Sequence, residues 1–515
     1  MKRFAAFILL FSMVLFSCSP DDQLNTPDRT ALELNYNQLN QRVDLKAEAV
    51  PLQRVSAAAP PNLTLIAEVS PPSLGGDQLH AAAVDIKGNY AYVTYHKKFE
   101  PYGGIVDVID LSTPSNPTIV AQLQITDTDF YTVDASNSNY LIIAGARSVD
   151  QSGYDSPTNH KGAVVQKINL SNGLITQASL PLTETPLNSF AATSTDVYDG
   201  YVIASTGDQN GGIYALDENS FQASVNPDFF KDDFYAEFVN LSENGRVVYL
   251  QGSQSNAAIM HYGDFNGSNG FHNMSSTNIP FNTTFVGKNG VEIFGNTAYV
   301  ALGDDGLLSF DIQTGTYQGP VNYNVLGKPA SATADTEYLY VANGLDGMQV
   351  LDRTDANLPL LGTWNFADEA NVIKTDGTYI FIAHGLGGLK ILKIGSVDLI
   401  DCGNANFPDY TGNSSQNLNV STPTQFQKGS GGGEVKNLNV NADGLEWCDD
   451  LKVKRNASVS GYFYFSGSKL EIERSLWVNS GGDLQVQGES KIKRNSTLKI
   501  LKKNSVMNTS PKTML

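Results

Sequence analysis

The chain has 515 residues, more than one hydrophobic core sustains, so at least two folded units are expected. Hydrophobic residues make up 41%, aromatics 10% and charged residues only 17%, with 46 Gly and 21 Pro; this excludes disorder and points to a turn-rich β protein. A net charge of −19 sets nucleic acid aside as a partner, since a phosphate backbone is gripped by clustered cations.

Lys2 and Arg3 precede an uncharged apolar run from Phe4 to Phe16. That run is shorter than the roughly 20 residues a membrane-spanning helix needs, and residues 1–17 read as a secretion signal. Leu15-Phe16-Ser17-Cys18 resembles the lipobox of bacterial lipoproteins. The resemblance implies cleavage before Cys18, acylation of that residue, and a place in the cell envelope as an outer-membrane lipoprotein whose first partner is the membrane. Two or more acyl chains hold firmly where one holds marginally. Ser19-Pro20-Asp21-Asp22-Gln23 resembles the surface-export signal of some Gram-negative lipoproteins, and a solvated linker start fits it equally well. Residues 18–61, with five prolines and a helix-compatible stretch from Thr30 to Glu48, read as a tether. With Cys18 acylated, Cys402 and Cys448 remain as an even pair in an oxidising compartment, and a disulfide is expected.

From His80 to Ile394 one pattern recurs: an apolar strand, a Gly-rich turn, a second alternating strand often ending in Asp, then a Pro/Asn/Gly-rich turn. Tyr90 to Val93 followed by Gly104 to Asp110 is one copy, Ala298 to Ala301 followed by Gly306 to Asp311 another; Leu339 to Ala342 with Gly347 to Asp352, and Tyr379 to Ile382 with Gly388 to Leu392, are two more. Weaker copies at Tyr140, Tyr201 and Val247 bring the number to seven, and six or eight blades fit the same pattern. Tyr92, Ile142, Val202, Val248, Tyr299, Tyr340 and Phe381 are spaced by 50, 60, 46, 51, 41 and 41 residues, and four short strands fit each step. The last copy lacks an outer strand, and Leu63 to Val69 stands ahead of the first with no blade of its own. Sharing one blade would close the ring and remove an exposed edge. The fold class expected is all-β: a seven-bladed β-propeller over 62–397, then a small β-solenoid or β-sandwich-like module over 398–515.

Gly104 to Leu123, with Asp110-Leu111-Ser112-Thr113-Pro114-Ser115-Asn116-Pro117 ahead of Thr118-Ile119-Val120, resembles the LVIVD repeat of bacterial surface propellers. Gly347 to Trp364 repeats the pattern with Asp352 and Pro359. The resemblance implies a propeller, often on exported proteins, and no settled activity.

Beyond Ile394 a second repeat begins. Leu451-Lys452-Val453-Lys454-Arg455, Leu470-Glu471-Ile472-Glu473-Arg474 and Lys491-Ile492-Lys493-Arg494 recur about every 20 residues, and Asn417-Leu418-Asn419-Val420 with Asn437-Leu438-Asn439-Val440 starts the series earlier. Strict alternation here reads as short strands. Residues 428–503 carry 13 Lys/Arg against 9 Asp/Glu. This ladder either meets an anionic glycan or keeps a solenoid's outer face soluble.

No nucleophile elbow, phosphate loop, dinucleotide fingerprint or His-Glu-x-x-His motif occurs in the sequence. Of the six histidines, His80, His96 and His384 are the ones a propeller would bring closest. The long turns Tyr95 to Gly103 and Ala146 to Lys161 bring Tyr95, His96, Phe99, Tyr102, Arg147, Tyr154 and His160 to one face, a mixture suited to glycan or protein recognition. Turns carrying Asp304, Asp305 and Asp346 share that face. Their carboxylates suit calcium, and plain turn chemistry explains them as well. The function expected is a noncatalytic envelope binding or scaffold lipoprotein. The competing expectation is a hydrolase or lyase acting on polysaccharide or lactone at the channel mouth, using those aspartates with a histidine.

Overall fold

The computed structural model describes residues 29–500 apart from internal stretches, of which 149–161, 280–289, 321–327 and 396–407 are the longest, together with 507–508. Its first body is a propeller. Seven antiparallel sheets of four or five strands stand around one axis. Their innermost strands are His80–Lys87, Thr128–Asp134, Ser194–Tyr198, Ala236–Leu241, Gly290–Phe294, Ser331–Ala334 and Val372–Thr375, each next to the following one and the last next to the first. The second strand of each blade is almost wholly buried, as in Tyr140–Arg147, because both of its faces pack against neighbouring blades. That is why these strands read in sequence as continuous apolar runs.

The ring closes as the sequence pattern implies. Leu63–Val69 pairs antiparallel with Leu389–Ile394 and completes blade seven. Residues expected as a tether do something different. Thr30–Glu33 adds a fifth strand to the rim of blade one, Val43–Ala49 adds one to blade seven, and Gln53–Arg54 pairs with Leu360–Trp364 on blade six. Between the first two lies a single helical turn, Tyr36–Leu39, whose Asn35 cap accepts from the Gln38 amide. The helix-compatible composition of 30–48 is overruled because three outer strands offer unpaired backbone edges, and extended chain satisfies them.

Two ionic clusters fix this belt. Arg42 makes a bidentate pair with the fully buried Asp107 at 2.9 and 2.8 Å, and Gln122 donates to the same carboxylate at 2.9 Å. Arg29 grips Glu184 through two bonds of 3.1 and 2.8 Å. Arg147 bonds both Glu184 at 2.7 Å and Asp127 at 3.0 Å.

The C-terminal module is a β-solenoid. Leu418–Val420, Leu438–Val440, Asn456–Val459, Ser475–Val478 and Leu498–Ile500 pair parallel and in register down one face. Thr424–Phe426, Leu445–Cys448, Tyr462–Ile472 and Asp483–Ile492 do the same on another. A sandwich of antiparallel hairpins is thereby set aside. Alternate residues, Leu438, Val440, Trp447, Phe463 and Leu476 among them, fill the interior, while Asn437 and Asn439 donate to Asn417 and Asn419 one coil away at 2.8 and 2.7 Å.

Candidate functional site

Within each blade the inner strand starts at one face of the ring, and the turn between second and third strands returns to that same face. The register makes this explicit: His80 lies opposite His96 and His96 opposite Gly104. The turns at Gly303–Asp305, 343–347 and 384–388 share this loop-bearing face. Leu302, Asn343 and His384 each donate an amide across the turn to the carbonyl of Gly306, Gly347 and Gly388, at 2.9, 2.7 and 2.9 Å. The same turns stitch blade to blade: Gly303 donates to Pro329, Gly344 accepts from Ala370, and Gly385 exchanges bonds with Ala81. Turn chemistry thus accounts for the repeated Gly. Asp304 is exposed and paired with Lys328 at 2.8 Å. Among the described residues no group of three His, Cys, Asp or Glu side chains is placed to hold a metal ion, so Asp304, Asp305 and Asp346 carry no calcium argument beyond their position.

The recognition residues expected from the long turns divide. Tyr95 is fully buried; burial and the Asp107 carboxylate push its hydroxyl well above its ordinary pKa. Arg147 is also buried, locked in the Asp127–Glu184 cluster. His96 stands half-buried at the channel mouth, its Nδ1 2.6 Å from the Lys97 carbonyl and its ring 5.5 Å from Tyr131 and 6.0 Å from His80. Phe99 is 75% exposed, and Tyr102 is half-buried. Tyr154, His160, Cys18 and Cys402 lie outside the described residues; Cys448 is buried at the end of its solenoid strand. His384 is buried against Phe366 at 5.3 Å. Burial and the nearby Lys390 hold its pKa down at about 3, and a Cβ at Gly387 would fall 2.0 Å from its ring. His384 is therefore a neutral packing residue.

Below the mouth lies what sequence reasoning missed. A cavity of about 400 Å³ follows the axis, lined by all seven inner strands, with His96 and Tyr131 towards the loop-bearing end. Deeper, Asp85, Asp134, Asp196, Glu292 and Lys374 line it; Asp85 is five residues along its strand from His80, roughly 17 Å. These positions are equivalent across blades and act as latches between them. Asp85 accepts the Ala135 amide at 2.7 Å, Asp196 the Leu241 amide at 2.6 Å, and Asn240 the Ile293 amide at 3.0 Å. Lys374 reaches from blade seven to Glu292 of blade five at 3.0 Å, and that carboxylate raises its pKa. Burial and the neighbouring Asp85 charge push Asp134 up to about 6; burial and Asp134 push Asp196 well above the carboxylate range. The signal was present in sequence as a recurring apolar–polar pair, Val84-Asp85, Val133-Asp134, Val239-Asn240, Val291-Glu292 and Ile373-Lys374.

A family model described as the LVIVD repeat matches residues 80–124, which are the four strands of blade one. The chain is a propeller repeat protein. No curated protein matches it. Among solved structures it is similar to the computationally designed Ika8 protein at 12% identity, over 62% of this chain and 98% of that one, with a TM-score of 0.39; likeness at that level carries no argument. The match covers one blade of the seven and does not reach the charged hub residues contributed by the others.

Proposed function

We propose that this repeat propeller is a noncatalytic binding and scaffold lipoprotein of the cell envelope, held in the outer membrane through acylated Cys18 and presenting its loop-bearing face to a glycan or an envelope protein. One observation carries the reading. Five of the nine large apolar side chains exposed among the described residues, Phe99, Phe190, Phe234, Leu345 and Leu386, sit in five different turns or connections of the face where the channel opens. Monomeric surfaces scatter such residues; gathering them on one face marks contact with a partner. The rigid ring supports this, since loops on a scaffold that does not yield keep their geometry between encounters.

The test is capture from envelope extract and on a glycan panel, comparing the native chain with Phe99→Ala/Leu345→Ser. Loss of a captured ligand in the variant supports the face; equal capture, or none by either protein, sinks it. Metabolic labelling with a fatty-acid analogue and Cys18→Ala tests the anchor, and protease treatment of intact cells tests outward display. A mass shift under reduction tests the Cys402–Cys448 bridge, which belongs to the same oxidising compartment.

A further inference from the structure

We infer that the axial cavity is a binding site for a small organic ammonium compound, a molecule of diamine or amino-sugar size, held among Asp85, Asp134, Asp196 and Glu292. The inference stands apart from the loop-face reading, because it concerns the deep end of the channel.

Three observations converge. The first is imbalance: four carboxylates line a cavity that holds one cation, Lys374, and Lys374 is already paired with Glu292. Negative charge taken out of bulk water and left uncompensated is costly. Burial and mutual repulsion raise the pKa of Asp134 and of Asp196, which is the same imbalance seen from the side of the protons. The second is an unfilled valence. Thr195 lines the same cavity and is nine-tenths buried, and its hydroxyl has no hydrogen-bond partner among the described residues; buried hydroxyls normally have one. The third is shape. The cavity's volume of about 400 Å³ falls within the range of small-molecule sites, roughly 300–1,000 Å³.

The ligand class follows from how the charge is spread. No three acidic or His groups among the described residues converge as a metal needs, so a single hard ion is not what the arrangement fits. An ammonium-bearing organic molecule is, because its charge and its hydrogen-bonding groups lie on different atoms. The carboxylates are also preorganised: Asp85 and Asp196 are fixed by the Ala135 and Leu241 amides, so they need not be ordered on binding. His96 and Tyr131, at the mouth, are the other titratable groups lining the cavity. A bound ammonium would displace protons from the aspartates, so binding tightens as pH rises from 5 to 8.

The experiment is titration calorimetry on the full chain with putrescine and with glucosamine, using 1,4-butanediol as the neutral match. Runs in two buffers of different ionisation enthalpy count released protons. The expected result is binding of an amine but not of the diol, proton release, and affinity about tenfold weaker in Asp196→Asn or Glu292→Gln. Thr195→Val, which removes only the lone hydroxyl, weakens binding several-fold with thermal unfolding unchanged, and keeps the test valid if the carboxylate variants do not fold. Phe99→Ala leaves amine binding intact, so failure of the loop-face reading and failure of this one are separable. Equal binding of diol and amine, a calcium signal lost in Asp196→Asn, or no heat at millimolar amine overturns the inference.

Discussion

Two buried carboxyl groups give this ring opposite responses to pH. Asp134 has a folded pKa of about 6, above the ordinary value of about 3.9, so its folded form holds the proton more tightly than the unfolded chain. Its burial penalty is absent below about pH 4 and grows as pH rises through 6, to roughly 3 kcal/mol at most. Asp134→Asn is therefore expected to raise Tm at pH 8 and leave it unchanged at pH 4, in calorimetric scans at both. Glu184 runs the other way. Bonds from Arg29, Gln166 and Arg147 overcome burial and hold it at about 2, so its contribution is complete above about pH 4.5 and drains away as pH falls towards 2. Glu184→Gln should steepen nothing at neutral pH but flatten the acid limb of the stability profile. Arg42→Ala is the severe single change: it leaves the fully buried Asp107 carboxylate without its cation, at a cost of about 3–5 kcal/mol. In chemical denaturation the pair replacement Arg42→Met/Asp107→Leu should recover most of that loss.

At the scale of strands and turns, the sequence was most legible where one residue type is forced. Gly347 and Gly388 adopt φ of +75° and +82°, and a Cβ on either would meet the Trp364 or Val69 carbonyl at 2.2 or 2.0 Å. This is why the repeat's third strand announces itself with Gly. Gly388→Ala should destabilise by at least about 1–3 kcal/mol, read as a shift in denaturation midpoint. Blade number, the shared seventh blade and the 20-residue solenoid rungs were legible for the same reason: each is a local pattern repeated. The belt was not. Nothing in Thr30–Ala49 distinguishes a strand on a distant rim from a linker, because the hydrogen bonds that decide it belong to residues about 90 positions away in blade one and about 20 away in blade seven. The hub was half legible. Its acidic residues recur in register, but their convergence on an axis is a property of ring closure, not of any one blade. Of the solenoid's Lys rungs, Lys452 pairs with Glu473 and Lys454 with Glu434 on neighbouring coils at 3.1 and 2.8 Å, and Lys469 with Glu471 within one strand at 3.0 Å, so part of the expected basic ladder is already paired.

For the molecule as a whole, the belt crosses the one seam that covalent continuity leaves open. Blade seven joins strands from both ends of the propeller, and Val43–Ala49 covers the outer of them. Cleavage within the exposed Val55–Ser56 stretch should leave the belt bound, whereas a chain lacking residues 29–56 should unfold at lower denaturant with a shallower, less cooperative transition, followed by tyrosine fluorescence. The belt also sets a direction. Its first residue, Arg29, accepts the Thr126 amide at 3.0 Å, at the end of the blade-one rim strand that meets the loop-bearing face. Cys18 lies eleven positions earlier, a reach of about 40 Å at full extension. With Cys18 acylated as proposed, the ring is leashed by the rim of its loop-bearing face, and the channel mouth stays within a few nanometres of the bilayer however the ring turns, so whatever it meets is met in the layer next to the membrane.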